Sequence, residues 1–321
     1  MKLLDVKNLN VGFISDDEIL PVVKNVSFSL EKGKLLGIVG ESGCGKSVTL
    51  MSILRLLPKN AVVNAEHIDF SGENILDIAE DDFRKIRGNK IALIPQDPLT
   101  SLNPLYTIGD QIMEVIMLHQ NVDQKQARAF AIEALRQVNI PEAERRIDEY
   151  PHQFSGGMCQ RVIIAMALSC NPDLIIADEP TTALDVTVQA QIMKLFKEIQ
   201  QKLGTSIILV THDLALVSEV ADDIIVMYAG EIVEQAGAYE FFANPKHPYS
   251  KGLLDSLPKE NVERLNVIAG QPPSIREKIS GCQFHPRCEH AFEKCSNSSP
   301  IEKNLQGGHG VSCWLYENTG I

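Results

Sequence analysis

Residues 35 to 47, LLGIVGESGCGKS, constrain this chain more than any other stretch. An apolar run leads into G-x-x-x-x-G-K-[ST], and TLMSILRLL then continues with helical spacing until Pro58 stops it. Strand, glycine-rich loop and helix in that order make a phosphate-binding loop. Its glycines let backbone N–H groups turn inward, and the helix that follows presents roughly +0.5 charge at its N-terminus. Gly40, Glu41, Ser42, Gly43, Cys44, Gly45, Lys46, Ser47 and Val48 are therefore the expected ATP-binding residues. In such loops the lysine, here Lys46, reaches the β- and γ-phosphates, and the hydroxyl of Ser47 goes to Mg²⁺.

A strand feeding a phosphate loop demands a sheet to sit in, and the remaining pattern supplies one. Apolar strand candidates recur at DLIIAD and SIILVTH with the helix VTVQAQIMKLFKEIQQKL between them, a βαβ rhythm that implies parallel strands. Upstream, the alternation in KLLDVKNLNVGF and KNVSFSL reads as short strands bounded by turn residues. Between 107 and 138 the period becomes helical, with Ile108, Ile112, Val115 and Ile116 on one face and Asp123 capping a second helix. Beyond about residue 236 the composition shifts toward Pro, Gly, His and Cys. The expected fold is an α/β phosphate-loop NTPase with a mostly parallel central sheet, an antiparallel β subdomain, a helical subdomain at about 98–160 and a small Cys-rich C-terminal region. The expected division is an ATPase domain over 1–235 and an extension over 236–321.

Composition removes several alternatives. With 321 residues and 44% apolar content, the chain can bury a sizeable core, yet no stretch reaches the ~18 uninterrupted apolar residues of a membrane-spanning helix. In MKLLDVKNLN, Asp5 and two asparagines fall where a signal peptide would be apolar, so the chain is expected to be cytosolic. A net charge of −12 argues against a broad phosphate-backbone surface, making nucleic acid an unexpected partner. No NKxD guanine-reading motif is present, which argues against a GTPase.

Two carboxylates end the apolar strand LIIAD. Asp178 is placed to hold Mg²⁺ through its water shell, and Glu179 to orient and deprotonate the attacking water. Together with GESGCGKS these residues resemble the ATP-binding subunits of ABC transporters, and the resemblance rests on ordered motifs covering nearly all of the first 235 residues. It identifies Gln96 in IPQDP with the Q-loop glutamine, SGGM (Ser155, Gly156, Gly157, Met158) with the signature motif, ALD at 183 to 185 (Asp185) with the D-loop, and His212 in LVTHD with the switch histidine. The resemblance implies that Gln96 serves Mg²⁺, water and the membrane subunits, that His212 meets the γ-phosphate, and that Phe13 stacks on adenine. It also implies a nucleotide sandwiched head to tail between two such subunits, so that SGGM completes the site of the partner. There the backbone N–H groups of Gly156 and Gly157 and the hydroxyl of Ser155 would form an anion site for a γ-phosphate held by the other chain. The commonest signature, LSGGQ, is replaced here by FSGGM, with Gln160 two residues beyond; the ribose contact of the usual glutamine is therefore not carried over.

The seven cysteines divide into three scattered ones and four between 282 and 313, in GCQFHPRCEHAFEKC and VSCW. Their spacing, Cys-x5-Cys-x6-Cys-x17-Cys over Cys282, Cys288, Cys295 and Cys313, fits poorly with the tight Cys-x2-4-Cys knuckles of structural zinc. A [4Fe–4S] cluster in a wider loop fits better, in a structural role. HPYSKGLL, GQPP and GCQFHPRC resemble the C-terminal extension of dipeptide and oligopeptide importer ATPases, some of which carry such a cluster. The resemblance implies an ATPase peripheral to the cytoplasmic face of the membrane, with ATP and Mg²⁺ as cofactors. Its implied partners are a second ATPase subunit, forming a heterodimer or a homodimer, two transmembrane permease subunits and an extracytoplasmic peptide-binding protein. Importers of nickel or another small solute share this tail. Non-transport relatives acting in DNA repair or translation are less well matched, because the chain lacks their coiled-coil insertions, tandem domains and basic arms.

Overall fold

The computed structural model describes residues 1–16, 18–182, 184–257 and 268–317. They form two compact units. Most of the first is built from residues 77–210, joined by 31–34. Three strands there, Ile91–Ile94, Leu174–Asp178 and Ser206–Thr211, run parallel, with Ile91 opposite Leu174 and Leu174 opposite Ser206. Every residue of LIIAD and SIILVT is buried, the continuous apolar reading of a strand covered on both faces. Between these two strands lies the helix Val186–Leu203, which buries Ile192, Leu195, Phe196 and Ile199 at helical spacing. It begins at Asp185, whose carboxylate accepts the Val188 N–H, and ends at Gly204 in the left-handed conformation (φ 69°).

The helical part of this unit follows its caps. Thr107 and Asp123 each close a capping box, with Asp110 and Gln126 respectively, and thereby start the helices Ile108–His119 and Gln124–Gln137. Ile108, Ile112 and Ile116 are fully buried, while Val115 lies half-buried at the edge of that face. Both helices pack against the helix Gly156–Leu168, whose Val162 and Ile164 are fully buried.

The second unit comprises 2–30, 35–76 and the chain from 211 onward. Its antiparallel sheet joins Lys2–Ser15, Glu18–Glu31, Ala61–Asn64, His67–Phe70 and Glu73–Asn74. A separate group of strands begins with Leu35–Val39, buried at all five positions and parallel to Asp223–Tyr228. A hairpin through Ala229 and Gly230 returns the chain as Glu231–Gly237. The C-terminal region then adds His309–Val311 to that strand and Lys303–Leu305 beyond it, so residues after 236 extend the sheet of this unit.

One helix is shorter than its sequence pattern implies. The helix after the phosphate loop spans Lys46–Ile53 and stops before Leu56 and Leu57. Arg55 takes a left-handed conformation (φ 53°), with Leu56 N–H bonded to Met51 O and Arg55 N–H to Ser52 O. This paired closure satisfies the last carbonyls without needing Pro58. No helix among the described residues is long and apolar enough to cross a membrane.

Candidate nucleotide-binding and hydrolysis site

In the second unit, the phosphate loop joins Leu35–Val39 to Lys46–Ile53. Gly40 and Gly45 adopt φ 153° and 101°. A Cβ on Gly40 would stand 2.2 Å from Met227 O, so the loop passes too close to the neighbouring strand for any side chain there. Gly45 stands at the N-terminus of the helix without a side-chain cap, the kind of helix start that can receive an anion. Lys46 is buried and its Nζ donates to Gly40 O at 2.8 Å and Glu41 O at 3.0 Å. Burial raises the pKa of the Cys44 thiol, against the pull of Lys46, whose ammonium lies 3.8 Å from Sγ. The cysteine is held neutral there.

Phe13 sits on the strand Lys2–Ser15, half-buried and opposite Ala61. His212 follows directly on Ser206–Thr211 and is exposed. The next residue, Asp213, accepts the N–H groups of Ala215 and Leu216 and so fixes where the chain turns into the helix Leu214–Val220.

The first unit carries the carboxylates. Asp178 is the buried last residue of its strand. Glu179 follows in a left-handed backbone conformation (φ 47°), uncommon for a residue with a side chain, while its N–H still donates to Val210 O at 2.9 Å. The turn swings the Glu179 carboxylate off the strand axis. Gln96 Nε2, from the segment just after Ile91–Ile94, donates to Glu179 Oε2 at 3.2 Å, and Thr182 Oγ1 donates to the same oxygen at 2.9 Å. Two neutral donors thus hold one oxygen of the carboxylate. Thr182 was not singled out by the motifs; its only signal in the sequence was its place three residues after Glu179.

The SGGM stretch also lies in the first unit. Ser155 is the N-cap of Gly156–Leu168, its Oγ accepting the Met158 N–H at 3.4 Å. The two glycines turn out to differ. A Cβ on Gly157 would meet Val188 Cγ1 at 2.7 Å, so this glycine permits two helices of its own unit to touch. Among the described residues, a Cβ on Gly156 would meet Leu184 Cδ2 alone, at an ordinary 3.8 Å. Nothing among the described residues requires glycine at 156. Of the ALD stretch, Asp185 caps a helix as described above, and Ala183 lies outside the described residues.

The second unit also holds the four tail cysteines. All are free thiols. Cys282 N–H donates to Cys295 O at 2.8 Å, drawing the two ends of the loop together. Burial pushes the Cys282 thiol up to about 11, and Cys295, Cys313 and Cys288 all add to that shift. Cys288 and Cys313 are raised as well, first by burial and then by their fellow cysteines. The four sulfurs therefore share one neighbourhood, although no three His, Cys, Asp or Glu side chains among the described residues are closed around a point that could hold a single metal ion.

A phosphate loop on a buried strand, an Asp-Glu pair ending a parallel strand and an SGG helix start define a phosphate-loop ATPase of the ATP-binding-cassette fold. Comparison with known proteins narrows the class. Residues 23–182 match the ABC transporter family model, and 233–295 match the model for the oligopeptide/dipeptide transporter C-terminal region. The chain is 47% identical to the oligopeptide transport ATP-binding protein AppD of Bacillus subtilis over 99% of its own length and 98% of that protein. It is 47% identical to the dipeptide transport ATP-binding protein DppD of Escherichia coli, over 98% and 96% respectively. Among solved structures, the dimeric post-hydrolysis state of the ATP-binding cassette MJ0796 bound to ADP and Pi superposes with a TM-score of 0.65 at 29% identity, covering 73% of this chain and 98% of that one. The chain belongs to the ABC transporter family, in its branch of oligopeptide and dipeptide transport ATP-binding proteins.

Proposed function

We propose that this chain binds and hydrolyses MgATP to energise import of di- and oligopeptides, acting at the cytoplasmic face of a membrane transporter. The observation that carries the reading is near-full-length identity of 47% to proteins named for peptide and dipeptide transport, combined with an intact phosphate loop and Asp178–Glu179 pair. Lys46 and the loop amides take the phosphates, Ser47 and Asp178 hold Mg²⁺ with Gln96, Glu179 accepts a proton from the attacking water, and His212 meets the γ-phosphate. Phe13 stacks on adenine. Family membership supports these roles, and the ordering of Glu179 by Gln96 and Thr182 supports the general-base assignment.

The second ATPase subunit, two membrane permeases and an extracytoplasmic binding protein complete the transporter in this reading. Ser155, Gly156, Gly157 and Met158 serve the nucleotide of the second ATPase subunit, with Asp185 beside that junction. Gly156 favours this, since the described residues of its own chain leave room for a side chain at a position where the sequence has none. The functional division follows the sequence: an ATPase domain over 1–235, its helical part at about 98–160, and an extension over 236–321. Cys282, Cys288, Cys295 and Cys313 hold a [4Fe–4S] cluster that ties the extension together.

The test is ATPase activity of the reconstituted transporter with its binding protein. Stimulation by peptide-loaded binding protein is expected; stimulation by nickel in place of peptide would replace the substrate class.

A further inference from the structure

Glu41, the first variable residue of the phosphate loop, is held at every polar group it has. Its carbonyl accepts Lys46 Nζ at 3.0 Å, its N–H donates to Tyr249 Oη at 2.9 Å, and its carboxylate receives both Nη atoms of Arg287 at 2.7 and 3.0 Å. Tyr249 and Arg287 come from the C-terminal extension, more than 200 residues away in sequence. Tyr249 opens the helix Pro248–Asp255 in the HPY stretch, and Arg287 lies in the HPR turn between Cys282 and Cys288.

The arginine is built in. Its side chain is 6% exposed, its Nε donates to Ala269 O at 2.9 Å, and its guanidinium lies 5.7 Å from the centre of the Tyr228 ring. Tyr228, Tyr249 and Phe284 pack edge to face around it, with ring centres 4.7 to 5.3 Å apart. A bidentate, largely buried Arg–carboxylate pair is rigid and strongly directional. The backbone bonds His285 N–H to Cys282 O and Cys288 N–H to His285 O set the turn that carries it.

We infer that Arg287 is a positioning residue for the phosphate loop, and that the closed cysteine loop fixes nucleotide affinity through the contacts Arg287–Glu41–Lys46. With the four thiols gathered, the HPR turn holds Arg287 on Glu41, and Glu41 keeps the loop in its phosphate-accepting shape. When the cysteine loop opens, the guanidinium withdraws and ATP binds more weakly. The contact with Glu41 stands on the geometry; its dependence on the cysteine loop rests on the cluster reading above.

The experiment measures affinity of the full-length chain for a fluorescent ATP analogue with Mg²⁺, anaerobically, alongside thermal midpoint and iron content. Arg287→Met is expected to weaken binding about tenfold, equivalent to about 1.4 kcal/mol, and Arg287→Lys to restore part of it, since a single ammonium cannot reproduce the fork. Glu41→Gln combined with Arg287→Met is expected to bind no more weakly than Arg287→Met alone, because both changes break one pair. Tyr249→Phe removes the acceptor for Glu41 N–H and is expected to weaken binding severalfold, which reads the same loop should Arg287→Met fail to fold. Chelation of iron from the wild type is expected to lower affinity, with a smaller effect on Arg287→Lys. Binding by Arg287→Met or Tyr249→Phe within twofold of wild type, or losses that multiply in the double variant, would overturn the inference. An iron-free chain would remove the cluster reading and, with it, the dependence on the cysteine loop, while the Arg287 variants still decide the contact with the phosphate loop.

Discussion

Gln96 Nε2 and Thr182 Oγ1 converge on Oε2 of Glu179, at 3.2 and 2.9 Å, in a residue whose backbone is already turned to φ 47°. A carboxylate on an uncommon backbone is oriented by these two donors. Removing the nearer donor isolates this orientation. Thr182→Val is expected to lower the turnover of the assembled ATPase about two- to tenfold, the worth of one net hydrogen bond, with ATP affinity unchanged. Single-turnover hydrolysis beside equilibrium binding checks it, and a loss confined to binding would place Thr182 elsewhere.

The two signature glycines are expected to separate on substitution. Gly157→Ala forces a Cβ to 2.7 Å from Val188 Cγ1 and is expected to destabilise the chain by about 1–3 kcal/mol. Gly156→Ala makes an ordinary contact with Leu184 Cδ2 and is expected to leave the thermal midpoint unchanged or slightly higher, since alanine is the better helix former. Its loss should fall on hydrolysis at the other subunit of the assembled pair. Gly156→Asp sharpens the contrast by adding a like charge where a γ-phosphate is to lie. Denaturation of the isolated chain, paired with hydrolysis scored subunit by subunit, gives both readings.

His247 gives the fold an acid limit. Its ring is buried, its Nδ1 accepts the Tyr249 N–H at 3.1 Å, and its backbone N–H is held by Glu234. Burial, with Lys251 adding to it, drives its pKa down to about 3 from the ordinary 6.5. Because the folded value lies below the unfolded one for a base, stability is intact above pH 6.5. It falls as the pH drops from there toward 3, by about 1.4 kcal/mol per pH unit for this one proton. His247→Asn keeps a capping acceptor but does not titrate. Its denaturation midpoint is expected to decline less steeply between pH 6.5 and 5 than that of the wild type; parallel curves would remove His247 from the acid limit.

Metal content is expected to follow the tail cysteines. Protein purified anaerobically after iron-replete growth is expected to be brown, with iron and sulfide present, and Cys288→Ser is expected to lose both. Zinc in place of iron under those conditions would replace the cluster with a single-ion site.

Local signals carried most of the fold. LLGIVGESGCGKS became strand and loop, and LIIAD and SIILVT became strands, because each is a continuous apolar run or a glycine pattern whose geometry is set within a few residues. Asp123 marked a helix start for the same reason. Arg55 ended its helix early because its closing bonds depend on backbone conformation, which side-chain spacing does not register. The pairing of Arg287 with Glu41 spans 246 positions, and HPY and HPRC stood in the sequence as family marks without a visible task. The difference between Gly156 and Gly157 depends on Val188 in another helix. Such roles are decided by packing between distant segments, and only coordinates reveal them.

That ATP hydrolysis by this chain energises peptide import is tested most directly by ATP-dependent accumulation of a labelled peptide in proteoliposomes holding the whole transporter. Wild-type complex is expected to accumulate peptide. Complex carrying Glu179→Gln is expected to bind ATP with near-normal affinity while hydrolysis falls ~100-fold or more, with peptide uptake falling alongside it. Uptake by the Glu179→Gln complex equal to that of the wild type would contradict the account.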